Sequence, residues 1–87
     1  MRLKDIKPGM YFRSLGWVYV SEKGFSGELP PDFLILIVKV EILVLDKKPI
    51  IRADALAASL ADTPEPLYLK IAEMSQKVWN QKFERVA

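Results

Sequence analysis

Hydrophobic residues fall along the chain in three rhythms. From Met10 to Val20 the chain is dense in aromatic and β-branched residues, which suit a pleated, half-buried surface, and Ser14-Leu15-Gly16 interrupts it. The pattern predicts two short strands, about 9–13 and 17–21. A hairpin around the interruption and a single bulged strand both fit. Lys7-Pro8-Gly9 ahead of them is turn chemistry, with Pro fixing φ and Gly supplying a positive φ. Residues 21–32 hold Gly24, Gly27, Pro30 and Pro31 and read as a long loop.

Phe33 to Leu45 is the strongest β signal, broken only by Lys39 and Glu41. Strict alternation puts Leu36, Val38, Val40, Ile42 and Val44 on one face. Ile35, Ile37, Leu43 and Leu45 then share the other face with Lys39 and Glu41. A long strand bending across a small barrel or rolled sheet reads this way, with Val38, Val40 and Ile42 shielded from water. A flat, exposed strand of this composition would aggregate. Residues 46–49 form a turn, and Ile50-Ile51-Arg52 a short antiparallel strand.

The third rhythm looks helical. Asp54 suits a helix cap, and Ala55 to Ala61 is good helix material with Leu56 and Leu60 four apart. Thr63 then caps a second helix with Pro64 at its first position and Glu65 in its first turn. Leu67, Ile71, Met74 and Val78 follow at spacings of four, three and four, an amphipathic stripe widened by Tyr68, Ala72, Trp79, Phe83 and Val86. Glu73 and Lys77 make an i, i+4 pair. The predicted class is α+β in a single domain, residues 1–87. A small curved antiparallel sheet or barrel covers about 9–52, a short helix 53–62, and a long C-terminal amphipathic helix 64–85.

Composition narrows the chemistry. The 87 residues suffice for one domain, and 51% are hydrophobic, so apolar surface is expected at a partner or oligomer contact as well as in the core. There is no Cys and no His, which removes disulfides, thiolate nucleophiles, Ser-His catalysis and the usual zinc sites. The carboxylates are scattered, and Gly24-Phe25-Ser26-Gly27 lacks a phosphate-loop signature. The expectation is therefore a protein that is not an enzyme and takes no cofactor and no metal. Lys and Arg number 13 against 11 Asp and Glu, interspersed, so net charge points to no particular partner. The longest apolar run, Phe33 to Val38, is far below the ~20 residues of a membrane span, and the N-terminus lacks an apolar signal core. A cytoplasmic protein is expected.

Three binding features stand out. In an extended 10–20 segment Tyr11, Arg13, Trp17 and Tyr19 point one way. Together with Lys23 they suit stacking of single-stranded bases, or a groove for a Pro-rich peptide. The bland alternative packs this face beneath the C-terminal helix, against Trp79 and Phe83. That helix itself offers Trp79 and Phe83 either to the core or to a second copy in a homodimer. Phe25, in the 21–32 loop, either inserts into a partner or plugs the barrel mouth. Lys70, Lys77, Lys82 and Arg85 read as a solvated face.

The segment Asp5-Ile6-Lys7-Pro8-Gly9-Met10-Tyr11-Phe12, followed by Trp17-Val18-Tyr19-Val20, resembles the opening of SH3-like small barrels, where a Pro-Gly turn precedes the first strand. The resemblance spans about residues 5–52 and implies a binding module. A compact chain without Cys or His also resembles phage or mobile-element accessory proteins, which implies occlusion of a host protein. The expected function is non-enzymatic protein binding, as a phage-type inhibitor or assembly factor. The alternative is nucleic-acid binding by the aromatic and basic strand face.

Overall fold

The computed structural model describes residues 1–22, 25–59 and 67–87, with the backbone alone at 25, 58 and 59. After a 3-10 turn at Leu3–Asp5, the strands are β1 (Tyr11–Ser14), β2 (Val18–Glu22), β3 (Phe25–Leu29), β4 (Phe33–Leu45), β5 (Lys48–Ser59) and β6 (Leu67–Ser75). A short helix α1 (Gln76–Lys82) and strand β7 (Phe83–Arg85) follow. One antiparallel seven-stranded sheet results, in the order β3-β2-β6-β5-β4-β1-β7.

The link from β1 to β2 sets the shape. Ser14 and Val18 begin and end it, on strands four places apart in the sheet. Four spacings of a flat sheet are about 19 Å, whereas four residues of chain reach about 14 Å at most. The sheet is therefore rolled into a half-barrel, compatible with a small barrel, whose two flanks approach each other at this link. β1 and β2 are neither a hairpin nor one bulged strand, because β1 pairs with β4 and β7 while β2 pairs with β3 and β6.

The concave face holds the core. Phe12, Val18, Val20, Ile35, Ile37, Ile51, Leu69 and Ile71 line it, and Ala53, Ala55 and Ala57 of β5 form a low floor. α1 contributes Trp79 to the same core, 1% exposed. Its indole meets Phe12 edge-on at 5.3 Å between ring centres and Phe83 at 4.4 Å. Ser75 caps α1, its Oγ accepting from the Val78 N–H at 3.4 Å. Leu3 and Ile6 close the remaining opening.

Both predicted helices are overturned. Asp54, Ala55 and Ala57 lie in β5, where Asp54 caps nothing and accepts a hydrogen bond from the Tyr68 hydroxyl at 2.7 Å. Residues 67–75 of the predicted long helix form β6, and only the seven residues of α1 are helical. Glu73 pairs with Arg52 across strands, not with Lys77. Leu60, Thr63, Pro64 and Glu65 lie outside the described residues. The physical reason is a bulge. Ile51 pairs with Met74 and Ala53 with Ile71, so Ala72 and Glu73 together oppose Arg52. The inward spacing from Ile71 to Met74 becomes three, which imitates a helical repeat.

β4 spans the predicted residues, but a second bulge between Ile37 and Lys39 shifts the alternation midway, so that the predicted faces do not run the length of the strand. Ile35 and Ile37 point inward, Val38 is the extra residue, and Val40 points inward after it. Val38 and Ile42 are exposed, contrary to expectation. The 21–32 segment is not all loop, since β3 pairs along the length of β2. Asp46 (φ 50°) and Lys47 (φ 65°) both take left-handed backbone, as a two-residue type I′ hairpin turn requires.

Candidate protein-binding site

Strand alternation decides which aromatics reach solvent. Val18 and Val20 point into the core, so Trp17 and Tyr19 point out, 57% and 69% exposed. Beside them the sheet is incomplete. β2 registers with β6 only at Val20–Ile71 and Ser21–Lys70. Beyond those pairs the β6 bulge carries Ala72 and Glu73 away, and a cleft of about 200 Å³ opens. Trp17 and Tyr19 form one wall, Ala72 and Met74 another, and Val78 and Lys82 of α1 a third. Helical spacing explains the last pair, since Val78 and Lys82 share a face adjacent to the one that buries Trp79.

The cleft is fixed on both sides. The Leu15 N–H donates to the Lys82 carbonyl at 2.8 Å, tying the β1–β2 link to the end of α1. Ser14, fully buried, donates from Oγ to the Pro30 carbonyl at 2.8 Å and accepts from the Phe33 N–H at 2.9 Å. Glu73, on the cleft rim, is held by Arg52 at 3.1 Å.

Comparison with protein-family models, with curated proteins and with solved structures finds no match to this chain. The site is read from its own geometry.

The other predicted site residues are dispersed. Tyr11 and Arg13 stand on β1, four strands from β2, and Arg13 pairs with Glu84 of β7 at 3.0 Å. Tyr11 and Arg13 therefore share no strand with Trp17 and Tyr19, although the roll of the sheet brings the ends of β1 and β2 towards each other at their link. Trp79 and Phe83 are core residues, at 1% and 4% exposure. Lys23 and the Phe25 side chain lie outside the described residues. Sequence reasoning missed Ala72, Met74, Val78 and Lys82 as cleft walls, because it set them on one continuous helix.

Elsewhere the outer face of the sheet is polar at its centre. Arg52 stands between Glu41 (3.6 Å) and Glu73 (3.1 Å). The Tyr68 phenol titrates above its ordinary range, chiefly because it donates to the Asp54 carboxylate. Among the described residues no three His, Cys, Asp or Glu gather in one place, and no helix is long and apolar enough to cross a membrane.

Proposed function

We propose that the protein is a non-enzymatic binding module that grips a protein partner at the Trp17/Tyr19 cleft. The observation that carries this reading is two large aromatics held in water, side by side, over an apolar cleft with fixed walls. Trp and Tyr dominate the energetics of protein contacts, and an aromatic patch beside a pocket marks an interaction site. The cleft volume of about 200 Å³ falls below the ~300–1,000 Å³ of small-molecule sites. It suits one large apolar side chain of a partner better than a metabolite. Occlusion of a larger protein, in the manner of a phage-type inhibitor or assembly factor, is the role such a module would serve. Stacking of nucleic-acid bases draws less support, because Arg13 is engaged by Glu84 and neither Tyr11 nor Arg13 lines the cleft.

The test compares proteins captured from the source-cell lysate by the wild type and by a Trp17→Ala/Tyr19→Ala variant of matching circular dichroism. A partner retained by the first and lost by the second is expected. Equal capture by both would refute the site. Salt-sensitive binding of single-stranded nucleic acid, with no protein lost, would favour the alternative.

A further inference from the structure

The outer face of β4, β5 and β6 carries its side chains in rows running across the strands, and the rows match one another in charge. Lys39, Asp54 and Lys70 are register partners and form a row of signs plus, minus, plus. The next row along the strands is Glu41, Arg52 and Glu73, with signs minus, plus, minus. Asp54 is half-buried and the other five are exposed. Apolar rows flank this pair. On one side Leu36 and Leu56 are register partners, and on the other Leu43 and Ile50 are. All four are half-buried, and no described element lies over them.

We propose that this face joins a second copy of the chain in a two-fold homodimer, with the dyad running across the strands between the two charged rows. A dyad in the plane of a face brings each position onto its reflection across the axis. Lys39 then meets the partner's Glu41, Asp54 the partner's Arg52, and Lys70 the partner's Glu73. Every one of these pairs is opposite in sign, and each occurs twice. The same operation brings Leu36 onto the partner's Leu43 and Leu56 onto the partner's Ile50, apolar on apolar. Sheets packed face to face cross at about 30°, so registration is best at the axis, where the charged rows lie. The roll of the sheet turns its flanks away and confines contact to β4, β5 and β6. This surface meets the Trp17/Tyr19 cleft only at Glu73, on the cleft rim; Trp17 and Tyr19 take no part in the dyad contacts, so either reading can fail without the other.

Sedimentation of the wild type tests the proposal directly. A 9.9 kDa monomer in equilibrium with its dimer is expected, with dissociation favoured as salt rises. A single monomeric species at high concentration and low salt overturns it, as does a dimer indifferent to salt. Two charge-reversed variants sharpen the test. Lys39→Glu/Lys70→Glu makes the first row wholly negative, and Glu41→Lys/Glu73→Lys makes the second wholly positive. Like charges then face each other at the 39–41 and 70–73 contacts, with only the Asp54–Arg52 contacts left opposite in sign, and each variant alone dimerises at least about a hundredfold more weakly. Mixed in equal amounts the two pair with each other, because every cross-dyad contact is again opposite in sign. Folded variants that stay monomeric on mixing, or that dimerise alone as the wild type does, refute the arrangement.

Discussion

The two tryptophans show how far position outweighs identity. Trp79 sits at the centre of an aromatic cluster with Phe12 and Phe83, whereas Trp17 stands in solvent. Trp79→Ala is expected to destabilise by ~3–5 kcal/mol, a large share of the ~5–15 kcal/mol that holds a domain folded. Trp17→Ala is expected within about 0.5 kcal/mol of wild type. Urea unfolding of both variants checks this, and comparable losses would mean that Trp17 is part of the core. Tyr68 carries a pH signature. Its phenol donates to Asp54, and ionisation would lose that bond and set a second negative charge beside the carboxylate, so its pKa is raised. A raised folded-state pKa gives stabilisation that is whole below the unfolded-state pKa and is lost as pH rises through the folded one. An alkaline absorbance titration should find a phenol ionising above the ordinary tyrosine range. Tyr68→Phe should remove it, and Asp54→Ala should lower it; no change in the second variant would contradict the hydrogen bond.

At the scale of elements, legibility depended on whether a strand kept a period of two. β4 was readable from end to end because Phe33 to Leu45 is β-branched, aliphatic and bounded by turn chemistry. Its face assignment was not readable, since the bulge at Val38 leaves no mark in residue type. The start of β5, Ile50 to Arg52, is legible as a strand, but the rest of β5 and β6 read as helices for two separate reasons. Ala55 and Ala57 have strong helical preference, yet here both are buried in a strand paired on its two sides with β4 and β6, a tertiary demand invisible to local propensity. In β6 the bulge at Ala72 and Glu73 supplied the spacing of a helix. The site suffered accordingly: Trp17 and Tyr19 were identifiable, and the walls that make a cleft beside them were not. The β4–β5 turn allows a test at this scale. Lys47 at φ 65° carries a Cβ in left-handed backbone, a strain of roughly 1–2 kcal/mol. Lys47→Gly relieves it, offset in part by a freer unfolded chain. A net gain of ~0.5 kcal/mol, or about 2–4 °C in melting temperature, is expected by calorimetry. A lower melting temperature would be inconsistent with a type I′ turn.

On the scale of the whole molecule, connectivity accounts for what composition could not. A surplus of apolar residues pointed to surface outside the core, and it is found in more than one place. The cleft at Trp17 is one. The β4–β5 hairpin is another, with Ile42, Val44 and Leu45 exposed near its turn. The rolled shape follows from one short link, and no pattern of residue types announces that β1 and β2, adjacent in sequence, belong to opposite flanks. β1 instead lies between β4 and β7, where the Tyr11 N–H donates to the Ala87 carbonyl and the Val86 N–H to the Tyr11 carbonyl, each at 2.8 Å. This arrangement bears on synthesis. β1 is the first of the seven strands to leave the ribosome and β7 the last, so one flank of β1 stays bare until translation has passed residue 85. Trp79, too, reaches the nascent chain late. The aromatic centre can assemble only after Trp79 and Phe83 have emerged to join Phe12, and a growing chain must meanwhile keep an aliphatic sheet from pairing with its neighbours on the same message.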